Sequence, residues 1–381
     1  MAVEAASMIA ALRPPAARQR ILMTGDTVGG VWQYALELAG ALTARGHEVA
    51  FATMGRLPDR VQRREAAAIA GLELYPSEYK LLWMPESTAD VHAAGEWLMG
   101  LAADVQPTVV HLNDFGHAHL PWPAPVLLVA HSCVLSWWYA VHGAPAPEAW
   151  AEYARTVAAA LAAANLVVAP THAMLAALER HYGRLRGARI IPNARGTGAG
   201  DRVKERIVFS AGRVGDAGKN METLARAAAR LSWPVCIAGD PRRADGSEVA
   251  LDNVTMLGRL SSAEVRRWFA RAPIYALPAR YEPFGLSVLE AAQAACALVL
   301  GDIESLRENW HGAAVFVPPA DELALVRAIE RLIGDAALRA DFAARARLRA
   351  ERFAPATMAD AYVRAYADIL IERQLEVLPA A

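Results

Sequence analysis

Short apolar runs alternate with stretches of helical periodicity along nearly the whole chain. The first run, Arg20-Ile21-Leu22-Met23-Thr24, closes at Gly25 and passes into Asp26-Thr27-Val28-Gly29-Gly30, which reads as a strand followed by a loop. From Trp32 to Arg45 apolar residues recur at helical spacing, and Gly46 stands where a helix C-terminal glycine belongs. Glu48 to Thr53 then reads as a second strand, so the chain opens with a βαβ unit. Further strands are expected over 108–112, 126–130, 166–169 and 189–191, with helices over 89–103 and 148–164 between them. Strands separated by helices in this way imply a largely parallel sheet covered by helices.

The pattern breaks at Asn193-Ala194-Arg195-Gly196-Thr197-Gly198-Ala199-Gly200, where glycine and small residues replace the periodicity. Beyond it the alternation restarts. Strands are expected over 206–211, 234–238, 254–257, 274–277, 297–300 and 314–317, with helices over 221–231, 262–271 and 286–295 and a long helical tail from Asp321. The implied division is an N-terminal arm over 1–19, an α/β domain over 20–195 and a second α/β domain over 196–355. The halves share architecture but no sequence period, so no internal repeat is assigned. Open α/β sheets bind ligands beyond the carboxyl ends of their strands, and two such domains face to face create a deep cleft.

Length supports two cores, since 381 residues exceed the roughly 250–300 at which one hydrophobic core stops growing. A formal net charge of −1, with basic residues scattered along the chain, offers no footprint for nucleic acid or an anionic membrane. Among 39 basic residues only Lys80, Lys204 and Lys219 are lysines, so a lysine inside a motif stands out against the arginine background. Cys133, Cys236 and Cys296 lie far apart without metal-ligand or disulfide-framework spacing, which fits a reduced cytoplasmic protein. The opening stretch is a poor match to a signal peptide, because Glu4 comes early and the apolar run ends at Arg13-Pro14-Pro15. No uncharged apolar run approaches the roughly 18 residues of a membrane span, so membrane contact is expected to be peripheral at most.

Two segments carry candidate chemistry. In Leu277-Pro278-Ala279-Arg280-Tyr281-Glu282-Pro283-Phe284-Gly285-Leu286-Ser287-Val288-Leu289-Glu290, a strand end turns into a helix start. Gly285 allows close backbone approach to a ligand, and the free N–H groups at that helix start can hold a phosphate. Glu282 and Glu290 would flank that anion at different depths; taken in isolation they also read as a capping acid and a solvated helix residue. Ser210-Ala211-Gly212-Arg213-Val214-Gly215-Asp216-Ala217-Gly218-Lys219-Asn220 places Arg213 and Lys219 in a glycine-rich loop after the first strand of the second domain. Such cations can clamp a diphosphate and neutralise the charge of its departure, although singly they also read as surface charges. The loop lacks the Gly-Lys-Ser/Thr ending of a P-loop.

In this order the two segments resemble glycosyltransferase family 4, whose hallmark is a pair of glutamates separated by seven residues, here Glu282 and Glu290. The resemblance extends from Arg20 to about Leu370. It implies the GT-B fold, two Rossmann-like domains with parallel sheets facing across a cleft, and a final helix over 356–381 packing back on the first domain. It further implies that Glu282 contacts the donor sugar, Glu290 holds the ribose hydroxyls, Arg213 and Lys219 bind the diphosphate, and the N–H groups of Gly285 and Leu286 complete that cradle. Gly258 and Leu260 fall in the stretch that meets the nucleobase; Gly29 and Gly30 match the glycine loop near diphosphate and acceptor; His131 matches the histidine facing the donor sugar. On their own, His131 also reads as a structural histidine, and Asp26 and Asp114 as acceptor contacts or as turn and cap residues. Trp137-Trp138-Tyr139 reads either as an aromatic wall for an acceptor or as core and lid. The chain departs from the family at Ala194-Arg195-Gly196, where Gly-Val and an acid are common, and at Gly301-Asp302-Ile303-Glu304-Ser305-Leu306, where a glycine pair and Pro-Glu are usual.

The implied activity is retaining transfer of a sugar from a nucleotide-diphosphate sugar to an unidentified acceptor hydroxyl, with no cofactor and no metal. Rival readings are an epimerase or hydrolase on the same scaffold and a non-catalytic sugar-nucleotide binding protein. A dehydrogenase is disfavoured, because Gly25-Asp26-Thr27-Val28-Gly29-Gly30 lacks the Gly-x-Gly-x-x-Gly fingerprint.

Overall fold

Strands that are apolar on both faces demand cover on both faces, and the chain meets that demand twice. The computed structural model describes residues 18–196, 203–242 and 247–377; residues 1–17 of the arm expected over 1–19, linker residues 197–202 and the end of the tail over 378–381 lie outside the described residues. The first sheet comprises β1 (Arg20–Asp26), β2 (Glu48–Met54), β3 (Leu72–Pro76), β4 (Val109–Leu112), β5 (Val126–Val129), β6 (Leu166–Ala169) and β7 (Arg189–Ile190). Its order is β3-β2-β1-β4-β5-β6-β7, with every neighbouring pair parallel. Its helices are α1 (Gly30–Thr43), α2 (Arg60–Ala67), α3 (Thr88–Val105), α4 (Val134–His142), α5 (Ala151–Ala163) and α6 (His172–Tyr182). β3, α2, α4 and α6 are additional to the elements expected from the pattern. β3 is a half-exposed edge of sequence LELYP and lacks the apolar run that marks its neighbours.

The second sheet comprises β8 (Val208–Ala211), β9 (Val235–Ala238), β10 (Thr255–Gly258), β11 (Ile274–Leu277), β12 (Ala297–Gly301) and β13 (Ala314–Val317), in the order β10-β9-β8-β11-β12-β13, again all parallel. With it run α7 (Met221–Ala228), α8 (Ser262–Arg271), α9 (Leu286–Gln293), α10 (Glu304–Trp310), α11 (Glu322–Gly334) and α12 (Ala336–Ala350). Gly239, after β9, permits the closest approach in this half: a Cβ there would stand 1.7 Å from the carbonyl oxygen of Gly212.

The helical tail from Asp321 is three helices, the last, α13 (Pro355–Val377), standing where the final helix over 356–381 is expected. Asp335 breaks the first from the second, its carboxylate accepting from Leu338 N at 2.9 Å as an N-cap. α13 lies against the first sheet's layer, where Met358, Ala359, Tyr362, Ala365, Tyr366 and Ile369 share one buried cluster with Trp32, Tyr34 and Leu38 of α1. Each large side chain so buried contributes roughly 1.5–3 kcal/mol. The exposed ion pairs Arg45–Asp360 and Arg189–Asp368 add about 0–1 kcal/mol each, so packing holds the tail in place.

Both sheets reverse their winding at a definite place. The chain turns to opposite sides after β1 and β4 in the first sheet, and after β8 and β11 in the second. Loops diverge there and leave a crevice at the strand ends.

Candidate active site

The crevice of the second sheet is charged. After β8 the loop carries Arg213, half exposed, and Lys219, whose Nζ donates to Glu282 Oε2 at 2.6 Å. Glu282 follows β11 and is 9% exposed, and among the described residues Lys219 is its ion-pair partner. The intervening Asp216 organises the loop: its Oδ1 accepts from Gly218 N at 2.8 Å and its Oδ2 accepts from Arg213 at 2.9 Å. Nearby cations hold the Asp216 carboxyl below the usual carboxylate range against the opposing effect of burial. Gly218 in turn accepts at its carbonyl from Arg280 N and Tyr281 N, which ties the basic loop to the residues leading into Glu282.

α9 begins at Leu286, with Gly285 as N-cap in the left-handed region at φ 91° and no side chain capping the helix start. Its first N–H groups therefore remain available to an anion. One helix turn further in, Glu290 Oε1 accepts from Arg195 Nε at 2.6 Å, and the same guanidinium reaches Glu37 Oε2 on α1 at 3.3 Å. Gly258 closes β10, its carbonyl accepting from Gly239 N at 2.9 Å. Leu260 packs against the core of the second half. A surface cavity of about 680 Å³ bounded by Leu260, Glu264, Arg267, Trp268 and Arg271 shares only Leu260 with the candidate residues.

The crevice of the first sheet is polar but largely self-satisfied. Asp26 ends β1, and its Oδ1 accepts from Val28 N at 2.8 Å and Gly29 N at 2.6 Å. Burial raises its carboxyl above the usual range, against the pull of those N–H groups and of Arg213 across the cleft. Gly29 caps α1, and Gly30 lies so close to the other half that a Cβ there would stand 3.6 Å from Leu286 Cδ1. The starts of α1 and α9 thus meet across the domain boundary. Asp114, after β4, accepts from Thr24 Oγ1 at 2.8 Å and Gly116 N at 2.9 Å, and pairs with His117 Nδ1 at 2.8 Å. His131, after β5, lies edge-on to Tyr34 at 4.4 Å and places Nε2 2.8 Å from Asn113 Oδ1. Burial pushes its imidazole down to about 3, so it is neutral.

The two crevices are clasped together. Trp137 on α4 donates its indole N–H to Asp216 Oδ1 at 2.8 Å, and a Cβ on Gly218 would stand 2.9 Å from the same nitrogen. Trp137 is therefore committed to the basic loop. Tyr281 reaches the other way: its hydroxyl accepts from Cys133 N at 3.1 Å and Ser132 Oγ at 3.3 Å, two and one residues beyond His131. Thr171 Oγ1 donates to the carbonyl of Pro283 at 2.9 Å, and Glu308 caps α6 through His172 N and Ala173 N.

Residues 28–195 match the family model described as Glycosyltransferase Family 4, and residues 205–335 match the model described as Glycosyl transferases group 1. The chain belongs to this glycosyltransferase family. Alpha-D-kanosaminyltransferase of Streptomyces kanamyceticus is 31% identical over 146 residues, covering 35% of this chain and 38% of that protein, so the match spans a little over a third of the curated relative. The sucrose-phosphate synthase structure from Thermosynechococcus elongatus superposes with a TM-score of 0.78 at 20% identity, covering 93% of this chain and 100% of that one. The Anabaena HepE structure, in complex with UDP-glucose, gives 0.72 at 16% identity over 92% of this chain and 100% of that one. These likenesses show the fold, two parallel-sheet Rossmann-like domains of the GT-B type.

Within this glycosyltransferase the geometry brings Arg213, Lys219, Glu282, Gly285 and Leu286 to one crevice, with Gly29, Gly30, Asp26 and His131 on the facing side. Asp114 is taken up by Thr24 of β1 and by Gly116 and His117 of its own loop. Asp216, Tyr281, Arg195, Asn113 and His111 are the residues that motif reasoning did not single out as part of the site. Arg195 had a signal, as the basic residue standing where the family commonly has an uncharged one. Among the described residues no group of three or more His, Cys, Asp or Glu is placed to hold a metal ion, and no helix is long and apolar enough to cross a membrane.

Proposed function

We propose that this glycosyltransferase moves a sugar from a nucleotide-diphosphate sugar to an acceptor hydroxyl with retention at the anomeric carbon and without a metal ion. The convergence of Arg213, Lys219 and the uncapped start of α9 at the second sheet's winding reversal carries this reading. A sugar diphosphate leaves as an anion, so its departure needs preorganised positive charge more than a proton. Two cations and a helix N-terminus supply that charge. Glu282, beside Lys219, then orients donor hydroxyls, and Glu290 addresses the ribose. The acceptor enters from the first-sheet side and attacks the face the diphosphate vacates, through an oxocarbenium-like state. HepE, of the same fold, is a structure with UDP-glucose, which favours a nucleoside diphosphate as the carrier here. Three free buried thiols support a cytoplasmic setting.

Incubation with a panel of nucleotide sugars and pooled acceptors tests the assignment. Glycoside carrying the donor's anomeric configuration should form in step with nucleoside diphosphate release, and a chelator should leave the rate unchanged. Release of free sugar alone, in step with the nucleotide, would replace transfer by hydrolysis.

A further inference from the structure

Beneath His131 lies a buried polar network that none of the roles above uses. β4 carries His111, fully buried, and Asn113 follows the strand, 8% exposed. Asn113 Nδ2 donates to the carbonyl of Thr24 at 2.7 Å, which fixes the amide and leaves Oδ1 as the acceptor facing His131 Nε2 at 2.8 Å. Turning the amide over would set two oxygens 2.7 Å apart at Thr24, with neither able to donate. His111 Nε2 lies 3.3 Å from the same Oδ1 and 3.3 Å from the Tyr34 hydroxyl. His111 Nδ1 lies 2.6 Å from the hydroxyl of Tyr366, on α13. Among the described residues that nitrogen is the only hydrogen-bond partner of the phenol, so the phenol donates and His111 carries its proton on Nε2.

We propose that Asn113, backed by His111 and by Tyr366 of the tail helix, positions His131 as the Nε2–H tautomer, so that its Nδ1 lone pair is offered to a hydroxyl of the bound sugar. His131 Nδ1 has no hydrogen-bond partner among the described residues, yet it is absent from their buried, unpaired atoms, so it is open to the outside. His131 itself directly precedes Ser132 and Cys133, which meet Tyr281 of the second domain at the cleft. A neutral acceptor nitrogen selects a donor group such as a hydroxyl over an anionic phosphate oxygen. Asn113, His111 and Tyr366 are positioning residues here: they act through His131. The inference rests on the transferase reading for the identity of the ligand but not for the tautomer.

Ring ¹⁵N shifts of the histidine-labelled full chain test it, with the His131 signal assigned by its loss in His131→Gln. The expected spectrum at neutral pH shows His131 with Nε2 protonated and Nδ1 bare, and Asn113→Ala should populate the second tautomer. Tyr366→Phe should lower kcat by roughly tenfold, the equivalent of one hydrogen bond, with the donor KM unchanged. An Nδ1–H or charged His131 in the wild-type chain, or a tautomer indifferent to Asn113→Ala, overturns the proposal; an unaltered kcat in Tyr366→Phe removes the tail helix from it. The expected spectrum in a chain that transfers no sugar would support the tautomer and defeat the transferase reading, so the two failures are distinct.

Discussion

The two sides of the cleft solve opposite problems with similar residues. On the second-domain side the charged groups are held by each other: Lys219 by Glu282, Arg213 by Asp216, Glu290 by Arg195. On the first-domain side the polar groups are held by the fold itself, Asp26 by backbone N–H groups and His131 by Asn113. Ion pairs between side chains can exchange partners, whereas a carboxylate bound to its own backbone turn cannot leave it without unfolding that turn. On the function proposed above, a charged ligand would take the place of an internal partner in the second domain. The first presents a surface fixed by its own fold.

Lys219→Ala breaks the comparison most forcefully. On the proposed function it removes one of two cations at the diphosphate, and it leaves the Glu282 carboxylate without its ammonium partner. Turnover should fall by about 10²–10³, the loss typical of one preorganised electrostatic contact, and steady-state kinetics with the donor checks it. Undiminished kcat would detach the lysine from the leaving group. Glu290→Gln sharpens the contrast. It keeps a hydrogen-bond acceptor but leaves Arg195 answered by Glu37 alone, so donor Kd should rise roughly tenfold, about 1.4 kcal/mol, with a smaller change in kcat. Calorimetric titration with nucleoside diphosphate measures this, and an unchanged Kd would exclude Glu290 from the ribose.

A third effect is on stability and concerns the buried histidines of the first domain. Burial pushes His111 down to about 3 in the folded protein, whereas the unfolded chain protonates near its ordinary value of 6.5. Its folded pKa is depressed, so as pH falls below about 6.5 the unfolded state takes up a proton that the folded state refuses. Stability is lost across the window from about 6.5 down to about 3, at roughly 1.4 kcal/mol per pH unit for this one group. Urea midpoints across that range, compared with His111→Gln, should show the slope fall by about one proton in the variant.

The sequence made most of the architecture legible because a strand buried on both faces must be apolar along its whole length. Val126–Val129 and Ile274–Leu277 announce themselves in that way, and the half-exposed β3 does not. The break of the tail at Asp335 is a local cap inside a pattern that continues helical on both sides, so periodicity runs across it. The basic loop and the glutamate segment were readable because each is contiguous. The pairings that give them shape are not: Trp137 meets Asp216 across 79 positions and Arg195 meets Glu290 across 95. No spacing rule reaches that far. His111 left a trace all the same, since a histidine within the buried strand Val109–Leu112 requires partners for its ring nitrogens.

The clasp formed by Trp137 and Tyr281 also bears on traffic through the molecule. Each of its hydrogen bonds is exchanged for one to water when the halves part, which leaves a net difference of about 0.5–1.5 kcal/mol apiece. A few such contacts hold the halves together only weakly, so the clasp is a latch and not a weld.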